Sequence, residues 1–373
     1  MKNKKNKPAV IIIAVLLFQV SALVSCEKET PLPEIKSGGP YTVWEDDEAG
    51  SVSCYLVLSE PSKKTVTLKY STADSTAVAG TDYTAVNSGT VTFNPGQTSK
   101  LLTVNIVENH ASGSDKAFKI VLSDASNAVI KQKSIKVIIK NTDFETLTWS
   151  DDFDGASLNT ATWNYEQGAG GWGNNELQTY TNKSENVRTG SGNLTITALN
   201  PSSNTYTSAR ITTQGKMQFT YGRVEIRAQL PEGKGIWPAL WTLGSNISTV
   251  SWPKCGEIDI MELLGQEPEK VYNAIHWDRS GHVSQSAPWS LPSGKFSEAF
   301  HLFGIRWTPN KVEWYVDNNL VASRSKSALQ NFPFDLPHFF IFNIAVGGNW
   351  PGSPDGTTVF PQNMIVDYIK LYQ

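Results

Sequence analysis

The sequence predicts an all-β protein built as two sandwiches in series, a small Ig-like one followed by a larger jelly roll. Short runs rich in β-branched and aromatic residues recur along the chain, separated by Gly, Pro, Asn and Asp, and no helical period stands out. The 373 residues are enough for two domains with a core each. Twelve Trp, twelve Tyr and fifteen Phe accompany only 18% charged residues, which suits large β cores and also surfaces that stack on sugar rings. A net charge of −3 gives no reason to expect nucleic acid as a partner.

The N-terminus, "MKNKKNKPAVIIIAVLLFQVSALVSC", reads as a targeting segment with a Lys-rich start and an apolar stretch from Ala9 to about Val20. That stretch is short for a membrane span. Its end, Leu23 to Cys26, resembles a bacterial lipoprotein signal, the alternative being an ordinary secretory signal. The resemblance implies removal of residues 1–25, lipid on the sulfur of Cys26, and attachment to a membrane of the cell envelope outside the cytoplasm. Cys54 and Cys255 then remain, one in each expected domain, so no disulfide framework is expected. Residues 26–40, polar and rich in Pro and Gly, read as a tether.

Residues 41–143 hold the runs "SVSCYLVLS", "KTVTLKYST", "GTVTFNPGQTSKLLTVNIVE", "KAFKIVLSD" and "KSIKVIIKN". About five to seven short strands in roughly a hundred residues mark an antiparallel sandwich. "YTVWED", "STAVAGTDY", "GTVTFNPGQ", "FKIVLSDASNAVI" and "IIKNTD" resemble a Calx-beta domain. Some members of that family bind calcium through acidic loops. Here Glu45, Asp46, Asp47, Asp82 and Asp143 form a thin cluster, and a structural or spacer role is the expectation.

Residues 147–373 form the second unit. In "YGRVEIRAQL", Val224, Ile226, Ala228 and Leu230 alternate with Arg223, Glu225, Arg227 and Gln229, as in a half-buried strand. "FHLFGIRWTPNKVEWYVDNNLVAS" reads as two strands and the start of a third, turning at "TPN" and "DNN". A segment this long made of such strands suggests a two-sheet jelly roll.

Within it, "GEIDIMELLG" places Glu257, Asp259 and Glu262 in an apolar run, where unpaired carboxylates are costly. On a helix the three diverge. On a regular strand Glu257 and Asp259 share a face and Glu262 falls on the other. A β-bulge at or near Ile260 or Met261 brings all three to one face, with Ile258, Ile260 or Met261, and Leu263 packing behind. Glu257 and Glu262 then stand roughly 13 Å apart at Cα. With each side chain leaning inward, about 5 Å separates the carboxyl groups, the spacing of a retaining glycosidase. A calcium site or a solvated edge strand would also account for the spacing alone.

"GEIDIMELLG" resembles the catalytic strand of glycoside hydrolase family 16, in the branch with the extra bulge residue, and other motifs agree in order. These are "GWGNNELQTYT", "SARITTQGK", "GIWPALWTLG", "NAIHW", "NIAVGGNWPG" and "VDYIKLYQ". The resemblance implies a concanavalin A-like jelly roll, with Glu257 as nucleophile, Glu262 as acid/base and Asp259 as the assisting carboxylate. Trp237 and Trp241 share one face of a strand, where indoles stack on sugars or pack a core. By the resemblance Asn175 and Arg210 bind sugar hydroxyls. His276 is expected to support the acid/base region unless it is a core histidine, and Trp350 to wall a cleft. The loops "GWGNNELQTYT" and "GGNWPG" look like those of the laminarinase subgroup, which acts within β-1,3-glucan, and mixed β-1,3-1,4-glucan is a further expected substrate. A transglycosylase, a galactan hydrolase and a non-catalytic glucan-binding protein are the rivals. No catalytic cofactor is expected, and the protein is expected to be a monomer. The family also implies a structural calcium at Asp367, with backbone oxygens of Asp152 and Gly192. Alternation places Asp367 on the face of Ile365, Ile369 and Leu371.

Overall fold

The computed structural model describes residues 31–47, 50–109, 113–329 and 332–373. The signal segment and Cys26 lie outside the described residues. Two sandwiches follow one another, the first of a four-stranded and a five-stranded sheet, the second of a ten-stranded and a seven-stranded sheet.

In the first domain period-two alternation places the core. Along Ser51–Leu58, Val52, Cys54, Leu56 and Leu58 are buried while Ser53, Tyr55 and Val57 face out. The core closes around Phe93, Phe118 and Tyr83, the last two stacked with ring centroids 4.1 Å apart. The tether is shorter than the sequence suggests. Glu34–Ser37 is a strand, antiparallel to Ser51–Leu58 and parallel to Val129–Ile130. The Pro and Gly residues on either side mask a strand whose one core residue, Ile35, is fully buried.

The second domain packs its two sheets around Trp163, Trp277, Trp307, Trp314, Phe340 and Phe342. Burying each of the two Phe side chains stabilises the fold by roughly 1.5–3 kcal/mol. His338–Val346, the apolar run "HFFIFNIAV", is buried along its whole length because it lies inside the seven-stranded sheet. Gly222–Gln229 alternates as its sequence predicts, with the Arg and Glu side chains on the outer face of the ten-stranded sheet.

Asp367 departs from expectation. Arg227 pairs with Tyr368 and Ala228 with Val366, so Asp367 sits in a bulge without a register partner. The bulge switches faces, and the buried residues are Met364, Val366, Ile369 and Leu371. Asp367 Oδ2 accepts a hydrogen bond from Arg227 Nη1 at 2.5 Å. Of the residues expected to hold calcium, Asp152, Gly192 and Asp367, the last thus has one carboxylate oxygen occupied by the Arg227 guanidinium.

Two residues of the acidic cluster in the first domain, Asp82 and Asp143, meet cations of the protein itself. Asp82 pairs with Lys116 at 2.7 Å within the domain. Arg306 of the second domain reaches across, donating from Nε to Thr142 O at 3.2 Å and from Nη2 to Thr142 Oγ1 at 2.6 Å. It also lies 3.5 Å from Asp143 and donates to Glu313 at 3.0 Å. Asn310 Nδ2 donates to Asp46 Oδ1 at 3.1 Å, and Lys311 Nζ to Glu108 at 3.2 Å. Arg306 is only 7% exposed, so removing it takes a buried cation from both Asp143 and Glu313 and leaves Lys311 as the cation at Glu313. Arg306→Met is expected to destabilise the protein by about 3 kcal/mol. Chemical denaturation of the two proteins measures this, and a loss under about 1 kcal/mol would mean the contact carries no weight.

Candidate active site

The bulge required by the carboxylate spacing is present. Across the hairpin Glu257 pairs with Leu243, Asp259 with Trp241 and Glu262 with Ala239, and on the other side with His276, Ala274 and Tyr272. Ile260 is the inserted residue, with no register partner on Ile236–Gly244. Ile258, Ile260, Met261 and Leu263 are all buried in the core between the sheets. The three carboxylates consequently share the outer face of the seven-stranded sheet. Two glycines let the hairpin close. Gly256, just before Glu257, has φ +82°. A Cβ on Gly244 would meet Cys255 O at 2.0 Å.

That face lines an open cavity of about 650 Å³, with Trp172, Trp241, Trp252 and Trp350 around the carboxylates. The two glutamates each have an indole donor. Trp252 Nε1 donates to Glu257 Oε2 at 2.9 Å, and Trp237 Nε1 to Glu262 Oε1 at 3.0 Å. His276 Nε2 lies 3.2 Å from Asp259 Oδ2 and 3.8 Å from Glu257 Oε1. Asp259 is 3% exposed.

Electrostatics follows from burial. Desolvation, then the neighbouring Asp259 charge, raises Glu257 and Glu262 to about 8. Desolvation alone raises Asp259 to about 8. The three cannot all be ionised at neutral pH, so the cluster holds protons there, as a site needing both an acid and a base requires. Linkage gives the sign. An acid with a higher pKa folded than unfolded holds its proton more firmly in the folded chain. The stability cost therefore begins above its ordinary value of 3.8 and is complete above about 8. Asp259→Asn removes that ionisation and is expected to raise Tm more at about pH 8 than at about pH 5. Thermal unfolding at the two pH values checks this, and equal gains would contradict the raised pKa.

The remaining expected residues divide. Arg210 lines the cavity, donates to Glu166 and lies between the rings of Trp172 and Trp241, at 5.0 and 4.9 Å from their centroids. Trp241 donates to Asn343 Oδ1 at 2.8 Å, and Trp350, 40% exposed, stands edge-on to Trp237 and Tyr272 at the cleft wall. Trp237 lines the cleft but its indole N–H is committed to Glu262. His276 approaches Asp259 and Glu257 most closely, and its charge acts on Glu262 as well. Asn175 is misplaced by one position. Trp172 and Asn175 both turn through positive φ, and it is Asn174 that lines the cavity. Asn175 points away, donating to Asn349 Oδ1 at 2.9 Å to join two loops. Sequence reasoning missed Trp252, His282, Glu176 and Asn343, all of which line the cavity. The Trp within "SWPKC", five residues before Glu257, was the one available signal.

A jelly roll with a pair of glutamates and an assisting aspartate on its open face, in a cleft walled by indoles, defines a polysaccharide glycosidase. The chain belongs to glycosyl hydrolase family 16, whose model matches residues 174–370. A Calx-beta domain matches residues 37–143. A beta-glucanase of Rhodothermus marinus is 40% identical over 244 residues, covering 61% of this chain and 85% of that one. Glucan endo-1,3-beta-glucosidase A1 of Niallia circulans is 38% identical over 257 residues, covering 61% of this chain but only 38% of that one. The solved laminarinase catalytic domain from Thermotoga maritima MSB8 shares 47% identity with a TM-score of 0.57, over 61% of this chain and 98% of that one.

Proposed function

We propose that this protein cleaves β-1,3-glucan from within the polymer, and mixed β-1,3-1,4-glucan as well, with retention of anomeric configuration. The observation that carries the reading is the bulged strand that aims Glu257, Asp259 and Glu262 into one open, indole-walled cleft. The two relatives and the solved neighbour, named for β-glucan or laminarin cleavage, support the substrate class.

In the first half-reaction the Glu257 carboxylate attacks the anomeric carbon while Glu262 gives its proton to the departing sugar oxygen. The glycosyl group is then an ester of Glu257. In the second half Glu262, now a carboxylate, takes a proton from water. The water oxygen attacks the same carbon and Glu257 leaves. Two inversions retain the configuration. The Trp252 N–H favours the anion on Glu257. Asp259, the most enclosed of the three, keeps a proton near the nucleophile and spares it a second negative neighbour. Glu262, receiving an N–H on Oε1, has Oε2 left to carry the proton that it donates.

Purified residues 27–373 incubated with laminarin, barley glucan, lichenan and agarose, with products sized, test the reading. A ladder of oligosaccharides from laminarin is expected. Products from agarose alone would favour a galactan hydrolase, and bound but uncut laminarin a glucan-binding protein.

We also propose that lipid on Cys26 holds the enzyme at the cell envelope, as the signal-like "LVSC" suggests. Cys26→Ser is expected to move activity from the membrane fraction to the soluble fraction and to abolish labelling with palmitate. Unchanged fractionation and labelling would overturn it.

A further inference from the structure

Behind the carboxylates stands a second histidine that the reaction does not itself call for. His276 Nδ1 and His282 Nε2 are 2.8 Å apart, and the two rings are nearly coplanar, at 4°. The ring of His282 also packs against Trp252, with centroids 4.6 Å apart. Trp252 donates to Glu257, and His276 approaches Asp259. His282 thus touches both groups that hold the nucleophile and its assistant, and closes a ring of contacts from Glu257 through Trp252, His282 and His276 to Asp259.

We infer that His282 is a positioning residue for the reaction, fixing the tautomer and aim of His276 and the plane of Trp252. This rests on the proposed roles of Glu257 and Asp259. A neutral imidazole has one N–H. For His276 to donate from Nε2 to Asp259, its Nδ1 must accept, and the only described group at that nitrogen is His282 Nε2, which then donates. Without that donor the Nδ1 lone pair loses its partner, and the tautomer that turns a lone pair toward a carboxylate oxygen gains population. The demand on aim is strict. No hydrogen bond of good geometry reaches buried Asp259 Oδ2, although His276 Nε2 is 3.2 Å away, so a small ring rotation decides whether that oxygen is satisfied.

The hairpin supplies the placement. His276 and His282 stand on adjacent antiparallel strands, Lys270–Asp278 and His282–Ser290, in register at Asp278 with His282 and His276 with Ser284. Asp278 Oδ1 accepts from Gly281 N at 3.1 Å and tightens the turn between them. The titratable groups facing the pair are Glu257, Asp259 and Glu262 from the bulged strand.

The test compares His282→Phe, which keeps a ring against Trp252 but has no nitrogen, with His282→Gln, whose amide can donate to His276. His282→Phe is expected to lower kcat about tenfold with KM changed less than about twofold. The alkaline limb of its pH profile should shift, and His282→Gln should recover most of the loss. Imidazole nitrogen NMR should show one His276 tautomer, protonated at Nε2, in the wild type and a mixture in His282→Phe. Thermal unfolding confirms that both variants fold. Wild-type kcat and tautomer in His282→Phe, a change in KM alone, or a His282→Gln no better than His282→Phe would overturn the inference. Glu257→Ser in the same series separates the two levels. If it is inactive while His282→Phe is normal, only the positioning role fails, and if it stays active the proposed function itself is wrong.

Discussion

Glu257→Ser is expected to lower turnover of laminarin by about 10⁴-fold or more, while folding and glucan binding persist. The nucleophile has no substitute. Asp259 is 3% exposed and faces His276, and Glu262 lies across the bulge, bonded to Trp237. Folding should not suffer, because the lost group is an acid that burial raises to about 8 and whose ionisation costs stability above its ordinary range. The variant should also transfer an α-glycosyl fluoride to a glucan acceptor. That fluoride has the configuration of the covalent intermediate and fits the space left by the carboxylate. Residual hydrolysis above about 1% of wild type, or transfer from the β-fluoride only, would remove Glu257 from the nucleophile role.

Glu262→Ala should be nearly as damaging on laminarin, by about 10³-fold, because the departing sugar oxygen is then unprotonated. It should be far milder on aryl β-glycosides with acidic leaving groups, whose departure needs little protonation. There the glycosyl ester on Glu257 still forms but waits for a base to activate water. Azide needs no base and should restore turnover, giving β-glycosyl azide after the second inversion. The alkaline limb of the wild-type profile, set by Glu262 with its pKa raised by burial, should disappear for these substrates. Rescue to the α-azide, or rescue of Glu257→Ala to the β-azide, would exchange the two roles.

Much of this site is legible in the sequence because its logic is local. Three carboxylates in an apolar run cannot be reconciled with a regular strand, and the repair they demand, one inserted residue, is the bulge at Ile260. Alternation likewise places Trp237 and Trp241 on the cleft face beside Ala239. The same alternation fails at Asp367, where a bulge with no local signature switches the face. It fails again at Asn174 and Asn175, where two positive φ values exchange the side chain that lines the cavity. Contacts made through tertiary folding leave no trace in spacing at all. Trp252 and His282 meet only because a loop folds over a hairpin, and Arg306 reaches Thr142 only because two domains pack together. His276 was recognisable as a site residue, but which carboxylate it serves depends on strand register, pairing it with Glu257.

The most direct measurement is proton NMR of laminarin hydrolysis in its first minutes, before mutarotation mixes the anomers. Strand rise and side-chain reach put the two carboxyl groups, brought to one face by a single bulge, roughly 5 Å apart, the spacing of double displacement, so the first reducing ends to appear should be β. If the α anomer appears first, hydrolysis inverts, no ester forms on Glu257, and the division of labour among Glu257, Asp259 and Glu262 is wrong.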